Sequence, residues 1–177
     1  MTRIRGPNNM QITPNEIEAI EEAGTLDASP VKMIRTKGGF WIAVGKPRGK
    51  FKEEALAAGS HPAIVKYNLA KQYPAFQPSM MKSELYADNA TVERHSHFLS
   101  DELRKSGHDI FSVQNGSEID FHITKHNADV ASVKGQVIDN SLVLKPFKMG
   151  AQFARALSGA TVEKAAACGA LKIKIDG

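Results

Sequence analysis

Between residues 28 and 52 the chain carries seven basic side chains, Lys32, Arg35, Lys37, Lys46, Arg48, Lys50 and Lys52, and no acid. Phe40, Trp41 and Phe51 are interleaved among them. Lys and Arg neutralise phosphates and release condensed counterions. Exposed aromatic rings offer bases a stacking surface. The segment is therefore a candidate grip on a nucleic acid. Its candidate contacts are Lys32, Arg35, Lys37, Trp41, Lys46, Arg48, Lys50 and Lys52. Gly45 and Gly49 would let main chain approach a phosphate closely. A competing expectation puts Phe40, Ile42 and Val44 in a core and Trp41 over the opposite face, and leaves "KPRGKFK" (46–52) as a solvated loop.

A second group of residues suits metal chemistry. Five of the six histidines lie between 95 and 126: His95, His97, His108, His122 and His126. Glu93, His97 and Asp101 follow one another at i, i+4, so a helix puts them on one face. With Asp120 they are the candidate metal ligands. The same spacing also makes an ordinary polar helix face. Across 91–134 the order reads helix, hairpin, strand, with Glu93 on the helix, Asp120 on the second hairpin strand and Lys134 on the next. This resembles the core of the PD-(D/E)xK nucleases. The resemblance implies that Glu93 and Asp120 bind Mg²⁺ or Mn²⁺ and that Lys134 orients the metal-generated nucleophile. Ser132 departs from the pattern, since the family carries a carboxylate there. The departure implies either an inactive relative or a site completed by His122 or Glu118.

Other short motifs match less of their pattern. Pro47-Arg48-Gly49 fits the centre of an AT-hook, but Lys50 and Phe51 depart from it. His122-Ile123-Thr124 is similar to half of the paired His-x-Thr arrangement of two-histidine phosphoesterases, and no second copy follows. The chain contains no Walker A loop, dinucleotide fingerprint, EF-hand loop or paired C-x-x-C.

The totals set the frame for these sites. The 177 residues include 23 Lys and Arg against 19 Asp and Glu, for a net charge of +4. From 84 to 120 the balance reverses: Glu84, Asp88, Glu93, Asp101, Glu102, Asp109, Glu118 and Asp120 face only Arg94, Arg104 and Lys105. Separated basic and acidic regions suit a chain that meets an anionic partner on one surface. A hydrophobic content of 42% is that of a globular chain rather than a disordered one. The single cysteine, Cys168, allows no intramolecular disulfide and sits among apolar neighbours, as a packed thiol does. The first residues have no signal-peptide h-region, and no apolar run approaches the ~18 residues of a membrane helix. A cytoplasmic protein with no membrane partner is expected.

These sites need elements to position them. "TPNEIEAIEEAG" (13–24) reads as a helix with Thr13, Pro14 and Glu16 as a capping box. "VKMIRT" (31–36) and "FWIAVG" (40–45) read as a hairpin. Ser60 caps a helix through Gln72, and 73–84 is the candidate linker. Residues 89–107 form a helix with Val92, His95, Leu99 and Leu103 as its stripe. Strands at 108–114 and 117–124 flank Asn115-Gly116. Further strands follow at 129–139 and 142–147, then short helices at 150–157 and 161–168, then a strand at 170–176. The expected fold is α+β: a mainly antiparallel or mixed sheet built from hairpins, with four to five helices packed on it. The expected division is 1–78 and 84–177, or one continuous domain. The expected function is non-catalytic nucleic-acid binding through 32–52, with no cofactor. One alternative is a structural or interaction subunit of a larger assembly such as a virus particle, with a protein partner or self-assembly. The other is the nuclease-like fold, which alone would use Mg²⁺ or Mn²⁺.

Overall fold

The unbroken apolar run at 41–45 becomes a strand buried at every position. Such a run suits a strand covered on both faces, whereas half-buried strands alternate. The computed structural model describes residues 4–5, 11–12, 14–47, 51–85, 89–148, 153–155, 157, 160–164 and 170–175. It divides into two units, Met1–Lys82 and Ser83–Gly177.

The first unit opens with a short antiparallel pair, β1 (Ile4–Arg5) and β2 (Gln11–Ile12), and a 3₁₀ turn at Pro14–Glu16. Next come β3 (Ile17–Leu26), β4 (Ser29–Thr36), β5 (Trp41–Gly45) and β6 (Glu54–Gly59), then helix α1 (Pro62–Gln72) and the short strand β7 (Gln77–Pro78). They form one antiparallel sheet in the order β6-β5-β4-β3-β7. Ile34, Ile42 and Val44 make the apolar centre of one face, with Ile17, Ala55 and Ala58 packed against them. α1 covers the other face. A Cβ on Gly59 would lie 3.2 Å from Ile64 Cγ2 and 3.3 Å from Val65 Cγ2, so the missing side chain lets the helix sit close to β6. The α1 N-cap is His61 rather than Ser60: the Ala63 N–H donates to its Nδ1 at 3.1 Å.

The second unit contains α2 from Ser83 onward (the helix spans Lys82–Leu85) and α3 (Asn89–Lys105). Its strands are β8 (Asp109–Asn115), β9 (Glu118–Lys125), β10 (Ala128–Ile138), β11 (Ser141–Leu144), β12 (Ala160–Lys164) and β13 (Leu171–Ile175). The sheet order is β12-β13-β11-β10-β9-β8, and every pairing is antiparallel. α3 brings Val92, Leu99 and Leu103 into one buried cluster with Ile119, Phe121 and Ile123 of β9, Val133 and Val137 of β10, and Leu142 and Leu144 of β11. Each such side chain contributes about 1.5–3 kcal/mol by leaving water.

The expected α+β class gives way to a sheet-rich fold with two antiparallel sheets. Only two helices among the described residues exceed four residues. Three expected helices account for the difference. Of the one at 13–24, Thr13 lies outside the described residues, Pro14–Glu16 is a 3₁₀ turn and the rest belongs to β3, whose ladder is bulged between Ile17 and Ala19 and between Glu22 and Gly24. The one at 161–168 begins as β12, where Val162 lies opposite Ile173 and Glu163 opposite Lys172. Residues 165–168, Cys168 included, lie outside the described residues. Of 150–157, residues 153–155 are helical and 150–152 and 156 lie outside the described residues.

Candidate nucleic-acid interface

The fold separates the basic residues of 32–52. β5 runs away from the 37–40 turn and into the 46–53 connection. Five residues of strand span about 16 Å, so Lys37 and Lys46 stand at opposite ends of the sheet. The first end is a rigid turn. Phe40 N donates to Thr36 Oγ1 (3.1 Å), Thr36 N donates to Phe40 O (2.8 Å) and Lys37 N donates to Glu16 O (2.9 Å). Phe40 is exposed there rather than in the core.

The strand residues between the two ends are already partnered. Arg35 lies opposite Trp41 in the β4–β5 ladder. Its guanidinium carbon sits 6.0 Å from the centre of the Trp41 ring and Nη1 is 3.4 Å from Glu18 Oε2. Trp41 itself is only 2% exposed and has Gly59 as its β6 partner, beneath α1. A ring in that position has no face to offer a base. Its indole N–H is buried without a hydrogen-bond partner. Lys32 Nζ lies 3.6 Å from Glu53 Oε1. Gly45 is buried, and a Cβ there would meet Leu56 Cδ1 at 3.1 Å and Val31 Cγ2 at 3.4 Å. Packing, not ligand approach, explains this glycine.

The 46–53 connection remains. Gly45 pairs with Glu54 at its base. Lys46, Lys52 and Glu53 are exposed, and Phe51 is 94% exposed. Arg48, Gly49 and Lys50 lie outside the described residues. The connection holds four basic residues and one acid, and Glu53 is turned toward Lys32. Among the described residues, the fold keeps Lys46 and Lys52 on one connection with the open Phe51 ring.

No protein-family model matches the chain, and no curated protein or solved structure matches it either.

The metal and nuclease candidates are placed differently. Asp120 and Lys134 are direct cross-strand neighbours, and His122 and Ser132 are the next such pair on the same face. Ser132 Oγ lies 3.1 Å from His122 Nδ1, and the Phe111 ring is centred 6.2 Å from the His122 ring. Strand alternation turns this face away from Ile119, Phe121 and Ile123, which pack with α3. Glu93 is on the exposed side of α3, so the sheet lies between it and Asp120. Glu93, His97 and Asp101 share an exposed helix face. Among the described residues no three His, Cys, Asp or Glu side chains converge as a metal-ligand group.

The histidines disperse into separate tasks. His95 is fully buried, with Nδ1 2.8 Å from Thr91 O and Nε2 3.1 Å from Asn140 O. Burial holds its pKa below the ordinary 6.5, and the two carbonyls oppose that shift. Arg94 reaches the Asn140 side chain beside it. Together they fasten α3 to the Asp139-Asn140 turn between β10 and β11. His108 packs against Phe153 at a tilt of 59°, with ring centres 5.7 Å apart. His126 occupies a tight turn with φ 55°.

Proposed function

We propose that this chain binds single-stranded nucleic acid through the connection between β5 and β6. The observation that carries the reading is Phe51, 94% exposed at the centre of a segment with Lys46, Arg48, Lys50 and Lys52. A fully solvated Phe does nothing for the fold, whereas a ring flanked by cations can stack on an unpaired base while its neighbours neutralise phosphates. Duplex bases are already stacked, so the ring favours a single strand. Trp41 and Arg35 serve the sheet in this reading, and Lys37 lies too far along β5 to share the contact. Glu53 holds Lys32 in reserve beside the connection.

Fluorescence anisotropy with labelled single-stranded and duplex oligonucleotides over a salt series tests this. Four phosphate contacts give a log–log salt slope of about −3 on a single strand. The double variant Lys46→Ala/Lys52→Ala should halve that slope. Phe51→Ala should weaken binding about tenfold. Glu53→Gln removes a carboxylate and releases Lys32, so it should strengthen binding. Absence of binding at low salt, or a double variant with an unchanged slope, would overturn the proposal.

A further inference from the structure

β8 ends the six-stranded sheet. Edge strands present unpaired N–H and C=O groups, and proteins blunt them with Lys, Pro, bulges or very short strands. β8 has none of these. Its sequence is DIFSVQN, seven residues long, and its register against β9 is unbroken. Elsewhere in the molecule such devices are present: the edge strand β6 is bulged between Ala55 and Ala57, and the edge strand β12 includes Glu163 and Lys164.

The register fixes which groups point outward. Asn115 and Glu118 close a two-residue turn, so they form a hydrogen-bonded pair. Alternation along the ladder makes Val113, Phe111 and Asp109 hydrogen-bonded to β9 as well. The main-chain groups of Ile110, Ser112 and Gln114 therefore face away from the sheet. On the outer face beside them Phe111 is 65% exposed and Val113 48%.

We propose that β8 pairs antiparallel with β8 of a second copy of this chain, about a two-fold axis at Ser112. This register sets Ser112 against its own copy and Ile110 against Gln114. Each of these pairs consists of outward-facing residues, so each can exchange two main-chain hydrogen bonds. On the outer face Phe111 meets Val113, and Asp109 meets Asn115. Apolar centre thus lies on apolar centre, polar end lies on polar end, and the only charged side chain of the strand opposes a neutral amide. A two-fold interface must be self-complementary in this sense. The pairing joins two sheets into one and covers both exposed apolar side chains. It does not depend on the nucleic-acid reading, because it uses none of residues 46–53.

Sedimentation velocity on the full chain, from micromolar to millimolar, tests the inference together with amide exchange by NMR. Wild type should pass from monomer to dimer, and the Ile110, Ser112 and Gln114 amides should gain protection over the same range. Phe111→Lys should raise the dimer dissociation constant by at least about tenfold, since the two-fold axis repeats each lost pair. Ser112→Pro removes an outward N–H that the β8–β9 ladder does not use and should have the same effect. Lys46→Ala/Lys52→Ala should leave dimerisation unchanged. A wild type that stays monomeric overturns the inference. So do dimers that persist in both edge variants, or outward amides already protected in the monomer.

Discussion

Replacing His95 with Ala should destabilise the second unit by about 3 kcal/mol at neutral pH. His95 is completely buried and its ring bridges Thr91 O and Asn140 O. At neutral pH the ring carries one N–H and donates it to one of these two carbonyls, so the substitution removes a hydrogen bond worth about 1 kcal/mol and leaves a ring-sized void. The effect should also depend on pH. The unfolded ring titrates near 6.5 and the folded ring lower, because burial disfavours its charge. Between those values the unfolded chain holds more protons than the folded one. The stabilisation by His95 is therefore complete above about pH 6.5, declines as the pH falls toward the folded value, and levels off below it. One group can contribute at most about 1.4 kcal/mol per pH unit to that decline. Amide exchange at Ile119, Phe121 and Ile123 reads the opening free energy of this sheet directly. Wild type and His95→Ala should differ most above pH 6.5 and converge on acidification. A loss below about 1 kcal/mol, or a difference that stays constant with pH, would refute the reasoning.

Three further substitutions have defined outcomes. Ala28 sits at φ 66° in the β3–β4 turn, a left-handed conformation that costs a residue with a Cβ about 1 kcal/mol or more. Part of the gain from Ala28→Gly is lost to the freer unfolded chain, so the melting temperature should rise by only about 1–2 °C; a fall would contradict this. Gly116→Ala places a Cβ 2.9 Å from Glu84 O at φ 61°, and calorimetry should show a loss of at least about 2 kcal/mol. Trp41→Phe loses ring volume but also removes a buried N–H that has no partner. Its chemical denaturation should shift by less than about 2 kcal/mol, and oligonucleotide affinity should stay within about twofold.

Much of the architecture could be read from residue order. The hairpins follow from β-branched runs and turn residues, although two of the turns fall one residue from their expected places, at 116–117 rather than 115–116 and at 139–140 rather than 140–141, and α3 follows from its apolar stripe. β3 was hidden by its own irregularity. Ile17 pairs with Thr36 and Ile20 with Ile34 because the bulge inserts one extra residue between them. Two isoleucines three apart thus share a strand face, which is the spacing a helix uses. The capping-box pattern at 13–16 reinforced the wrong period. The N-cap of α1 is not legible in the sequence because His is an unusual acceptor there. For the candidate interface, the decisive signal was present but ambiguous. "FWIAVG" does not alternate, and this lack of alternation is what marks Trp41 as buried. Charge spacing along 32–52 could not reveal that β5 divides the basic residues between two ends of a sheet. Nor could the spacing of Glu93 and Asp120 reveal that a sheet separates them.

The strand order of the second sheet has a consequence for synthesis. β13 is the last strand in sequence, yet it pairs with β11 on one side and β12 on the other. The strands β8 to β11 can zip up as a meander in the order in which they leave the ribosome. Among the described residues β12 is tied to the sheet through β13 alone, so it cannot join them before that strand is made. The first unit faces no such delay, since all its ladders close by Pro78. Translation thus delivers a finished N-terminal sheet and a C-terminal one that waits for its final insertion. A chain cut just short of Leu171 would have the first sheet complete and the second lacking an interior member.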